Sequence, residues 1–205
     1  TLSGSYLTGS ASSILDIRGN TLTVNGPISS TNPGFLGGSD SSNLILGGNS
    51  TVKFAAGKQI LKDFTLNTGA LDTLGTNLDI TGGLTPGNEG TVLVQGTAIL
   101  HTLGRLTIKS NANGTARIAI GRTTSDYIIG DVSVERYLSS DRSWRLLSTP
   151  TVGQTVRQAW QENGTYPGNS FGTIITSNLA SWAVNGFDFQ TPGNSLQTYN
   201  SATDK

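Results

Sequence analysis

His101 is the only histidine in the chain, so a Ser–His–acid triad or an imidazole metal centre would have to be built around it. It stands among Leu100, Thr102 and Leu103, in a string that alternates like an ordinary strand. No Gly-x-Ser-x-Gly nucleophile turn occurs in a strand–turn–helix setting. Three carboxylates lie close in the chain, Asp63, Asp72 and Asp79. In a coiled β-fold a one-coil offset would bring two of them within the roughly 5–10 Å that glycoside hydrolysis requires. Sugar-cleaving grooves also carry aromatic platforms, yet no Phe, Tyr or Trp occurs between Phe64 and Tyr127. The acids therefore read as turn and corner residues, and the chain reads as a non-enzyme with no catalytic residues.

Binding chemistry has two candidates. Asp, Asn and Gly cluster from Gly37 to Asn43, where Asp40 with backbone carbonyls would suit a structural calcium, the one cofactor the pattern leaves open. Neither EF-hand spacing nor the Gly-Gly-x-Gly-x-Asp nonapeptide is present, and Asp188 between Phe187 and Phe189 is a lesser site. Trp144, Trp160, Trp182, Tyr166 and Phe187 would serve either as a packed core or as a sugar-stacking platform. Tyr166 and Trp182 are the carbohydrate candidates, Tyr166 because the following Pro167-Gly168 marks a turn. The Asn-x-Ser/Thr sequons at Asn49, Asn113 and Asn163 read as turn formers.

Composition narrows the partners. Thirteen basic and thirteen acidic residues cancel, which gives no pull on a nucleic-acid backbone or an anionic membrane. Charged residues are 13% of the chain, about half the usual share, while Gly reaches 27 residues. The absence of Cys excludes disulfides, thiolate-bound zinc and thiol catalysis. No stretch approaches the roughly 20 apolar residues of a membrane span. The chain opens on Thr1 without a leader pattern and reads as a piece of a longer exported protein.

The elements that must position these residues are short. Up to about Gly121, strings such as Leu22-Thr23-Val24, Leu44-Ile45-Leu46, Phe64-Thr65-Leu66, Leu78-Asp79-Ile80, Val92-Leu93-Val94 and Leu106-Thr107-Ile108 alternate at period two. Most stop at Gly or Asn, which tolerate the positive φ of tight turns. Gly19–Gly26 is echoed by Gly75–Gly82. Many short strands with irregular echoes point to a parallel β-solenoid rather than an antiparallel sandwich. Beyond Gly121 the texture changes, and all three Trp and four of five Tyr lie from Tyr127 onward. The expected organisation is all-β: β-solenoid repeats over 1–123, then an aromatic-rich, β-sandwich or jelly-roll-like module over 124–205. That module would hold strands at Asp131–Tyr137, Trp144–Ser148, Gly172–Thr176 and Leu196–Tyr199, with one short helix over Gln154–Gln161.

Its phrases Glu135-Arg136-Tyr137-Leu138, Arg142-Ser143-Trp144-Arg145-Leu146-Leu147-Ser148-Thr149-Pro150, Trp160-Gln161-Glu162 and Gly186-Phe187-Asp188 follow in order. Together with the preceding repeats they resemble large secreted surface proteins of Bacteroidetes-type bacteria. The resemblance implies type IX secretion, an extracellular or cell-surface location and an adhesin-like or filamentous role, and it carries no catalytic residues over. The expected function is a rigid structural spacer whose partners are further copies of itself, head to tail, or host and environmental glycans. A carbohydrate-binding or cell-contact module and a β-helix polysaccharide-degrading enzyme are the alternatives.

Overall fold

The computed structural model describes residues 14–25, 36–48, 54–124, 126–139, 148–161 and 202. The chain divides into two compact units, Thr1–Asp141 and Arg142–Lys205. The first is all-β among its described residues, and its sheets are parallel apart from one two-stranded hairpin.

Strands are numbered along the chain. β2 (Thr21–Val24), β4 (Asn43–Leu46), β6 (Asp63–Leu66), β9 (Thr91–Val94) and β14 (Arg117–Ala119) form a five-stranded sheet in that spatial order. β5 (Gln59–Leu61), β8 (Leu78–Ile80), β11 (Leu106–Ile108) and β16 (Val132–Val134) form a second. β7 (Leu71–Thr73), β10 (Ile99–His101) and β15 (Ile128–Ile129) form a third. Every pairing in these three sheets is parallel. Two small pairs complete the unit. β1 (Leu15–Asp16) lies parallel to β3 (Leu36–Gly37), and β12 (Ser110–Asn111) makes an antiparallel hairpin with β13 (Gly114–Thr115).

From β6 onward the chain visits the three large sheets in a fixed cycle: β6, β7, β8, then β9, β10, β11, then β14, β15, β16. Residues that bond across neighbouring strands are accordingly 28 positions apart in the middle of the unit, as in Thr91 with Asp63 and Gln95 with Asn67. The interval is 22 for Asn43 with Thr21 and 26 for Lys109 with Glu135.

Period-two strings fold this way because alternate side chains leave opposite faces of a strand. β4, β6 and β9 each bury their second and fourth residues and leave the others half-buried. In-register pairing then stacks like on like: Leu44, Phe64 and Val92 form one inner row, and Leu46, Leu66 and Val94 the next, all fully buried. Each such side chain contributes roughly 1.5–3 kcal/mol by leaving water. The outer row over the first of these is Thr21, Asn43, Asp63, Thr91 and Arg117. Phe54 meets Phe64 edge-on, with ring centroids 6.4 Å apart, and closes the core near β3.

Polar groups inside are matched to backbone. Ser42 is fully buried and donates its hydroxyl to the Arg18 carbonyl, while Thr102 donates to the Asp131 carbonyl at 2.7 Å. At Gly90 a Cβ would stand 2.4 Å from the Lys62 carbonyl oxygen, so only glycine allows the chain to enter β9 there.

Strands β15 and β16 pair with β10 and β11, and the first unit runs on past residue 123 to Asp141. Residues Asp131–Tyr137 thus hold a strand of the first unit's sheets. In the second unit the expected helix is present as α1 (Val156–Trp160), capped by Thr155, whose hydroxyl accepts from Gln158 N. The other three strands expected there, apart from Ser148, lie outside the described residues, as does any β-sandwich they would build. No helix among the described residues is long and apolar enough to cross a membrane.

Leu103 carries a backbone strain, at φ 50° and 58% exposure. The left-handed region costs a side-chain-bearing residue about 1–2 kcal/mol. Leu103→Gly is expected to stabilise the protein by about 0.5–1 kcal/mol in denaturant melts. Phe64→Ala, by contrast, is expected to destabilise it by about 3–5 kcal/mol.

Candidate functional site

Among the described residues, charged groups converge on the outer face of the four-stranded sheet. In β8, Leu78 and Ile80 point into the core, so alternation turns Asp79 outward; nevertheless it is only 3% exposed. Its register partners are Ile60 on β5 and Thr107 on β11. Lys58, two residues before Ile60, places Nζ 2.8 Å from Asp79 Oδ2. Lys109, two residues after Thr107, reaches the same oxygen at 3.9 Å and also pairs with Glu135, which directly follows β16. Parallel register therefore assembles Lys58, Asp79, Lys109 and Glu135 from four neighbouring strands.

Asp79 Oδ1 is buried and receives no hydrogen bond. The hydrogen bond and the charge of Asp79 hold the Lys58 ammonium above its ordinary pKa of 10.5, against a smaller desolvation effect and with a small push from Glu135. The Asp79 carboxylate lies between two ammonium groups and so ties neighbouring strands together sideways.

The three acids singled out from spacing lie on three different sheets. Asp63 is on β6, where Oδ1 accepts from Thr91 N at 3.0 Å and Oδ2 stands 3.7 Å from Lys62 Nζ. Asp72 is on β7 in register with Leu100, and Asp79 is on β8. No two share a register position, so the one-coil offset does not pair them. His101, on β10, lies between Thr73 and Ile129 in the ladder and is half-buried. Asp40 sits in a turn ordered by serines, with Ser42 Oγ accepting from Ser39 N at 2.9 Å. Among the described residues no three His, Asp or Glu side chains gather as a metal set. Tyr166, Trp182, Trp144, Phe187 and Asp188 lie outside the described residues; Trp160 is half-buried on α1.

Asn113 has a structural occupation. Its amide donates to the Leu84 carbonyl at 2.9 Å, and the Asn111 amide donates to Gly83 O at 2.7 Å, so the β12–β13 hairpin is stitched to the segment above β9. The Lys58–Asp79–Lys109–Glu135 set escapes a reading of the chain because its members become neighbours only through register. The single legible signal was Asp79 itself, a charge inside an otherwise apolar strand.

No protein-family profile, curated protein or solved structure matches the chain.

Because the Lys58 pKa is raised on folding, the stability it lends is fully present below pH 10.5 and lost as pH climbs through the higher folded value. Melts of the wild type and Lys58→Met across that window are expected to converge at the alkaline end. Asp79→Ala is expected to destabilise by about 1–2 kcal/mol at neutral pH, since it strips a nearly buried anion from two ammonium groups.

Proposed function

We propose that the chain is a structural segment of an extracellular surface adhesin or filament, and that its first unit is a β-solenoid acting as a stiff spacer. The observation that carries this reading is the repeated cycle through three parallel sheets, with strand partners 26–28 positions apart from β6 onward. A chain that returns to the same sheets in the same order advances by about 4.8 Å per return. Its length then grows with the number of returns, while each new strand adds a full set of backbone bonds and one layer of core.

The low charge agrees with this role. Outer positions such as Thr21, Asn43, Thr65, Thr107 and Ser133 help wet the faces without long-range fields, and Lys58, Asp79, Lys109 and Glu135 are tied into a ladder. Export to the cell surface, through the type IX route implied by the phrases at Glu135–Leu138 and Arg142–Pro150, belongs to the same reading. A spacer needs stiffness and length rather than a reactive cleft, and the scattered positions of Asp63, Asp72, Asp79 and His101 suit it.

Single-molecule pulling on the chain by its two ends is the test. A load-bearing spacer predicts that the first unit stays closed under tension and then opens in steps, each releasing the 26–28 residues of one return. Extension at low force without such steps would sink the proposal.

A further inference from the structure

Each large sheet ends on the strand that comes last in the chain: β14, β15 and β16 all occupy edges. Their inward residues are incompletely covered. Ile118 stands in register with Val92, which is fully buried, but is itself 37% exposed, and Ile120, two residues on, is 87% exposed. Val132 and Val134 are half-buried although their partners Leu106 and Ile108 are buried. An apolar row and an unsatisfied line of backbone N–H and C=O groups thus coincide at one end of the unit, the condition under which an edge recruits another strand.

The opposite edge of the five-stranded sheet is β2. There Leu22, inward-facing in register with the buried Leu44, is only half-buried, and nearby Ile14 and Leu15 are 63% and 38% exposed. β2 and β14 run in the same direction within one sheet, since all the intervening pairings are parallel. A second copy translated along the sheet therefore offers β2 to β14 in the one orientation that continues the ladder. The match extends to side chains: Leu22 would cover Ile118 from inside, and Thr21 would join the outer row at Arg117.

We infer that the open edge led by Arg117–Ala119 accepts the Thr21–Val24 edge of a second copy as its next parallel strand, so that the protein associates head to tail. The inference rests on the spacer reading, because only strands stacked along one axis can be continued in this way. The contact is heterologous: the two surfaces differ, so a pair retains one free edge of each kind and growth does not close on itself unless rotation brings the ends together.

The absence of cysteine gives a clean test. Register partners on adjacent parallel strands lie about 4.8 Å apart, within the Cα separation a disulfide can bridge. Thr21→Cys and Arg117→Cys proteins, mixed and oxidised, are expected to give a heterodimer. Thr23→Cys mixed with Arg117→Cys, two residues out of register, is expected to give far less. Light scattering of the wild type should show mass rising with concentration, and Ile120→Lys should hold the protein monomeric while leaving its melting unchanged, since Ile120 is exposed. Equal yields from the two cysteine pairs, or a monomeric wild type at all concentrations, overturns the inference. Pulling on the Ile120→Lys monomer separates the two proposals: stepwise opening without association leaves the spacer standing, and extension without steps removes both.

Discussion

In-register parallel pairing is the constraint on which the rest of the unit depends. When strands pair in this way, a residue sits beside its own positional equivalent in the next strand, so an inward position stays inward through the whole sheet. Leu44, Phe64 and Val92 make one continuous buried row for this reason, and Leu46, Leu66 and Val94 another. A slip of one residue would turn every member of both rows toward water, which is why the register is firmly specified. The connections, by contrast, are free to vary. The interval between partners is 22 positions at Asn43–Thr21 and 28 at Thr91–Asp63, and the longer one includes the extended connection of residues 81–90 between β8 and β9.

The same constraint governs where charge can go. Inner rows are closed to ions, so charged residues fall on outer rows or just beyond strand ends. Those that share a row come within reach of their neighbours. Lys58, Asp79, Lys109 and Glu135 are the clearest case: none is adjacent to another in sequence, yet each lands within one strand spacing of the next. The arrangement binds neighbouring strands laterally, where a carboxylate exposed only 3% would otherwise be an unfavourable guest. Its orphaned Oδ1 shows that the match is incomplete on one side.

Strand positions were legible in the chain because period two is a local signal, and β4, β6, β8, β9 and β11 lie on the strings that show it. The pairing was not, since parallel partners share a face rather than a phrase. Gly19–Gly26 and Gly75–Gly82 look like successive repeats, but their strands, β2 and β8, belong to different sheets. The true equivalents Asp63–Leu66 and Thr91–Val94 have little in common beyond alternation. Sequence texture hides one further pairing for a related reason. Tyr127 is the first aromatic residue after Phe64 and reads as the opening of a new module, yet it packs against the core of the first unit, with the Arg122 guanidinium 5.0 Å above its ring. Of the candidate sites, the separation of Asp63, Asp72 and Asp79 onto three sheets depends on where the chain turns, information that turn residues carry only loosely.

A ladder of this kind is uneven in stability by construction. An internal strand is bonded on both edges and its inward residues are covered from both sides, whereas a terminal strand has half of each. The step from fully buried Val92 to Ile118 at 37% exposure, one strand further on, measures how quickly protection falls. Opening should therefore begin at the edges and progress inward, with β6 and β9 the last to part. The low charge of the faces leaves few means of discouraging contact between edges; Arg117 on the outer row of β14 is the one formal charge within that strand. Stiffness along the sheet and reactivity at its end are thus one property seen from two positions, since both come from backbone groups that a parallel neighbour satisfies and nothing else in the described unit does.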